Sequence, residues 1–144
     1  MRSIEILLIE DNEGDILLTT EALEDSKLIN KLRVARNGKE ALDHVFQKAG
    51  FEHLPLPDLI MLDINLPLKN GHEVLQAIKS NPKTLHIPVV MLTTSSLEKD
   101  IQMAYSHHAN CYITKPVEVS EFLNAILKIE HFWLSLVTLP SNSM

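Results

Sequence analysis

The chain has 144 residues, 45% of them hydrophobic, and a formal net charge of -6, which suits one hydrophobic core and is short for two ordinary domains. No run of Lys or Arg offers a phosphate-tracking surface, so direct nucleic-acid binding loses its main driving force. No apolar stretch is long enough to cross a bilayer and Met1-Arg2-Ser3 lacks the layout of a secretory signal, so a soluble, cytoplasmic protein without membrane contact is expected.

In chain order, Ile6-Leu7-Leu8-Ile9 forms most of a first strand, residues 4–9, which stops at Glu10-Asp11. A helix is predicted after Asn12, with Ile16, Leu17, Thr20, Leu23 and Glu24 at spacings of three and four that give a buried stripe. A second strand over 32–36 leads through Asn37-Gly38 into a helix where Ala41, Leu42, Val45 and Phe46 repeat the pattern. The third strand, 58–63, carries Leu59-Ile60-Met61-Leu62 and closes on Asp63. Asn70-Gly71 open a third helix with Val74, Leu75 and Ile78, and Asn81-Pro82 end it, because proline has no amide to extend the ladder. A fourth strand, 87–92, runs up to Thr93-Thr94 and precedes a weakly amphipathic helix around Glu98 to Ser106. The fifth strand, 109–113, contains Cys111-Tyr112-Ile113 and is followed by Lys115. On the last helix Phe122, Ile126, Ile129, Trp133 and Leu136 make one apolar stripe, with Leu123, Leu127 and Leu134 beside it, and Ser141 to Met144 are expected to fray.

Five βα repeats predict a parallel sheet with helices on both faces and central strands apolar throughout. The carboxyl ends of such strands share one edge, where open α/β sheets place ligands. Glu10, Asp11, Asp63, Thr93 and Lys115 all fall there. A carboxylate ending a buried strand is costly without a purpose, and three of them suit a hard divalent cation such as Mg²⁺. Without a cation they repel and raise one another's pKa values; with one they stay ionised, and one can act as a nucleophile toward phosphorus. Lys115 is expected to pair with Asp63 at rest and to neutralise phosphoryl oxygens after transfer, with Thr93 donating its hydroxyl. Any one of these acids alone reads as a helix N-cap; the joint placement does not.

Two competing functions are weighed against these residues. A magnesium-dependent phosphohydrolase with an aspartyl nucleophile needs a second acid two residues after Asp63, and Asn65 stands there instead. A scaffold that never takes up phosphate has no use for the intact Asp63, Thr93 and Lys115 set. The single cysteine, Cys111, excludes an internal disulfide and suits a small apolar role, and four glycines leave no phosphate loop or dinucleotide fingerprint. His107-His108 has no evident third metal ligand, and His44, His72 and the other histidines read as surface residues.

Glu10-Asp11, the segment Asp63-Ile64-Asn65-Leu66-Pro67-Leu68-Lys69-Asn70-Gly71, Thr93 and Lys115-Pro116 resemble the receiver domain of two-component response regulators, from Ile4 to about Ile129. The resemblance implies a flavodoxin-like doubly wound fold with strand order 2-1-3-4-5. It further implies transfer of a phosphoryl group from a histidine kinase phosphohistidine to Asp63, followed by slow self-catalysed hydrolysis. Mg²⁺ would be held by Asp11, Asp63 and the backbone carbonyl of Asn65, with Glu10 acting through water, and the peptide before Pro116 would be cis. Tyr112 matches the switch aromatic that turns inward with Thr93. The Glu-Asp pair departs from the more usual Asp-Asp, and its longer side chain still suits a water-mediated contact.

The segments Phe132 to Pro140 and Asn110-Cys111-Tyr112 are similar to those of cyanobacterial phytochrome response regulators, which implies a phytochrome histidine kinase as the donor. The expected organisation is a receiver over 1–131 and a helix extension and tail over 132–144, with no separate output domain and output through protein contact. The excess apolar face of the last helix predicts a homodimer through the fourth and last helices and the tail, using Phe122, Ile126, Trp133 and Leu136.

Overall fold

A computed structural model describes residues 4–26, 30–94 and 111–128. Strands β1 (Ile4–Ile9), β2 (Asn30–Ala35), β3 (Leu59–Asp63), β4 (Val89–Thr93) and β5 (Cys111–Thr114) form one parallel sheet in the order β2-β1-β3-β4-β5. Helices α1 (Glu13–Asp25), α2 (Gly38–Val45), α3 (Gly71–Lys79) and α4 (Val119–Lys128) complete the described elements. The helix predicted around Glu98 to Ser106 and the tail from residue 129 lie outside the described residues. Strand β1 has the expected bounds, whereas the ends of β2, the start of β3 and the ends of β4 differ from expectation by one or two residues. Strand β5 runs one residue further than expected, and residues 109–110 of its expected start lie outside the described residues. At β4 the reason is Pro88, which accepts from Ile60 but has no amide to donate, so the ladder opens at Val89.

Alternation along the strands divides the core into two layers. Ile4, Ile6 and Leu8 of β1, Leu59 and Met61 of β3, Val90 and Leu92 of β4, and Cys111 and Ile113 of β5 pack with Ile16 and Leu23 of α1 and Phe122 and Ile126 of α4. Leu7 and Ile9, Ile60 and Leu62, and Val89 and Met91 pack with Val45 of α2 and Val74, Leu75 and Ile78 of α3. Every residue of β3 and β4 is buried, as required of strands covered on both faces.

Three helices start on an asparagine whose side chain accepts from the amide three residues on: Asn12 from Asp15, Asn37 from Glu40, Asn70 from Glu73. At α3 the box is reciprocal, since Glu73 reaches back to the Asn70 amide at 3.4 Å. Gly71 is required by crowding: a Cβ there would stand 2.4 Å from the Asp63 carbonyl oxygen and 2.6 Å from Ile64 Cα. The first turn of α3 is thereby pressed against the end of β3.

Three expectations need correction. On α1 the buried positions are Ile16, Thr19, Ala22 and Leu23, whereas Leu17 is 58% exposed and Glu24 is exposed. The sheet lies one helical step away from the stripe drawn through Leu17. His44 is not a surface residue; it is buried and stacks on Phe51 with ring centroids 3.7 Å apart. His72 is half-buried, while His53 and His86 are exposed as expected. Finally, Phe122 and Ile126 are 1% and 2% exposed and belong to the core between α4, α1 and the sheet, so neither offers a dimer contact. A helical stripe identifies a buried face but not what buries it, and here the chain's own sheet does.

Candidate functional site

Strand alternation decides which strand-end residues meet. Glu10 continues the series Ile4, Ile6, Leu8, Asp63 the series Leu59, Met61, and Lys115 the series Cys111, Ile113, all on the face covered by α1 and α4. Their side chains converge. The Lys115 ammonium lies 2.8 Å from Glu10 Oε1, 2.9 Å from Asp15 Oδ2 and 3.3 Å from Asp63 Oδ2. Main-chain bonds hold this arrangement: the Lys115 amide donates to the Thr93 carbonyl at 2.7 Å, the Asn65 amide to Asp63 Oδ1 at 3.2 Å and the Asn12 amide to Glu10 Oε2 at 3.3 Å. The Lys115-Pro116 peptide is cis.

Glu10 is 0% and Asp63 2% exposed, while Asp11 is open to solvent. One carboxylate oxygen from each of the three lies within 4.8 Å of the others. Burial pushes the Glu10 carboxyl up to about 7, a hydrogen bond with Asp63 adds to the rise, and Lys115 opposes it. For Lys115, burial disfavours the charge, but the hydrogen bonds to Glu10 and Asp15 and the fields of Asp63 and Glu10 outweigh it. Its ammonium is held above the ordinary lysine range. The donors gathered at the rim are all carboxylate oxygens, two of them shielded from water, so the residues fit a hard cation that takes oxygen ligands.

Glu10, Asp11, Asp63 and Lys115 are therefore brought together. Asn65 adjoins them through its amide. Thr93 ends β4 beside Asp63, on the opposite face with Val89 and Met91, and is buried. Half-buried Tyr112 packs against that same layer. Trp133 and Leu136 lie outside the described residues. The pairing of Lys115 with Asp63 is present but is the longest of three. Asp15 is the residue that sequence reasoning missed: its only signal was Asn12-x-x-Asp15, which reads as a helix cap.

Fold and site define a doubly wound parallel α/β domain with a lysine-bridged acidic centre at the carboxyl edge of its sheet. The chain belongs to the response regulator receiver family: the family model described as "Response regulator receiver domain" matches residues 6–127. It is similar to "Response regulator Rcp1" of Synechocystis sp., with 44% identity over 94% of this chain and 92% of that protein. Among solved structures it resembles the phosphorylated cyanobacterial phytochrome response regulator RcpA, with TM-score 0.79, 44% identity and coverage of 94% of this chain and 97% of that one. It also resembles the Mn²⁺-bound form of Rcp1, with TM-score 0.76, 42% identity and coverage of 93% and 96%. The protein is thus a phosphoacceptor of two-component signalling. Among the described residues no helix is long and apolar enough to cross a membrane.

Proposed function

We propose that Asp63 accepts the phosphoryl group of a histidine kinase, and that a phytochrome kinase is the donor. The observation that carries the assignment is Asp63 Oδ2 at 3.3 Å from the Lys115 ammonium, with oxygens of Glu10 and Asp11 close by. The RcpA relative, named as a phytochrome response regulator, supports the choice of donor.

Asp63 attacks phosphorus as the bond to the donor imidazole breaks, and the product is an acyl phosphate on its carboxylate. Lys115 keeps its proton and neutralises a phosphoryl oxygen. Thr93 turns its hydroxyl toward another, and Tyr112 follows inward on the same face of the sheet. Asp11, Asp63 and the Asn65 carbonyl would hold Mg²⁺, with Glu10 acting through water. The metal supplies positive charge for the crowded phosphoryl oxygens. Slow attack by water on the acyl phosphate ends the signal, and output passes through protein contact. Any homodimer through the last helix and tail uses side chains other than Phe122 and Ile126. Sedimentation with and without a phosphoryl mimic tests it.

Labelling by acetyl phosphate in Mg²⁺ and then in EDTA tests the assignment. Wild type labels only with the metal and Asp63→Asn not at all; Thr93→Ala still labels but loses the conformational response. Equal labelling of wild type and Asp63→Asn refutes the proposal.

A further inference from the structure

Asp15 occupies the third position of α1, the place where Glu73 of α3 turns back to close a capping box. Asp15 does not turn back. The amide it would have reached, that of Asn12, is taken by Glu10 Oε2, and the Asp15 carboxylate instead accepts from Lys115 Nζ at 2.9 Å. The link joins the first turn of α1 to the end of β5 across 100 positions of sequence.

A lysine ammonium has three N–H donors in fixed tetrahedral directions. Glu10 and Asp15 take the two short contacts, and the third group, Asp63 Oδ2, stands at 3.3 Å. Two anchors thus determine where the remaining N–H points. Glu10 belongs to the acid group that would face a cation, whereas Asp15 lies outside it and its bond to Lys115 does not compete with that role.

We propose that Asp15 is a positioning residue for the phosphoryl transfer: it anchors the Lys115 ammonium from α1 so that one N–H stays directed at Asp63. The inference rests on Asp63 as acceptor, and the tests below separate the two.

Asp15→Asn is the informative change, because the Asn12 cap uses the backbone amide of Asp15 and survives the substitution. In ¹⁵N-labelled protein the Lys115 ammonium signal is assigned by its loss in Lys115→Met. Asp15→Asn should speed its hydrogen exchange with water about tenfold or more, as expected on losing a hydrogen bond between charged groups. Acetyl phosphate labelling in Mg²⁺ should slow about tenfold, the low end for removing a partner that orients an essential group, and Asp15→Glu should recover much of the rate. In a Lys115→Met background, Asp15→Asn should have no further effect, since its action runs through the lysine. Unchanged ammonium exchange in Asp15→Asn, or an equal slowing of labelling in the Lys115→Met background, overturns the proposal. If wild type itself takes no label, the phosphoacceptor assignment fails, while the ammonium exchange still decides whether Asp15 is the anchor.

Discussion

Glu10 and Lys115 stand 105 positions apart in the chain and meet at 2.8 Å, because β1 and β5 end at one rim with both side chains on the same face of the sheet. Around this contact two further carboxylates share one ammonium, so among the described residues the resting centre is a buried charge cluster balanced by Lys115.

Lys115→Met should upset that balance. It leaves Glu10 and Asp63 buried without their cation, and loss of one partner of a buried pair costs about 3–5 kcal/mol. Removing Lys115 also lifts what holds the Glu10 pKa down, so in EDTA the urea-measured loss should be larger at about pH 8 than at about pH 6, where Glu10 carries a proton with or without the lysine. An equal loss at both pH values would mean that the carboxylates are not what the lysine balances.

Glu10 also sets the sign of a pH effect on the wild type. Its native value of about 7 lies above its ordinary 4.5, chiefly through burial, so the folded state binds the proton more tightly. The stability it contributes is complete below the unfolded value and is lost as pH rises toward about 7, a change on the order of 3 kcal/mol. In EDTA the urea midpoint should therefore fall over this window, and Glu10→Gln should remove that slope. Mg²⁺ should stabilise the protein more at about pH 8 than at about pH 6, because the acids are then ionised to receive it.

Gly71→Ala tests the junction that holds Asp63 in place. The new Cβ would meet backbone atoms at the end of β3, which cannot swing aside as a flexible side chain would. We expect a loss of about 1–3 kcal/mol from overpacking, together with slower acetyl phosphate labelling. Asn70→Ala, which breaks only the capping box of α3, should cost about 1 kcal/mol and leave labelling close to normal. If Gly71→Ala labels at the wild-type rate, the junction does not position the acceptor.

His44 should stay neutral to lower pH than a free histidine. Burial is the main cause of its lowered pKa, and the Arg33 charge adds to it against the opposing fields of Glu40 and Asp43. An NMR titration should place its midpoint below about 6.5. Phe51→Ala uncovers the ring and should move the midpoint upward; an unchanged midpoint would show that the stack does not shield it.

The sequence by itself determined the alternation of strands and helices and the charged or hydroxyl residue ending each inner strand. Apolar runs stopped by Glu10-Asp11, by Asp63 and by Thr93 are local patterns, and burial on both faces demands them of central parallel strands. Asn12, Asn37 and Asn70 marked the helix starts for an equally local reason, an asparagine oxygen three residues before an unpaired amide. Only the tertiary structure decided that Asp15 meets Lys115, that Leu17 looks outward, that His44 is covered by Phe51, and that Phe122 and Ile126 belong to the core. Each of these depends on which surface another element brings against a helix or loop, and residue spacing within one element carries no information about that neighbour.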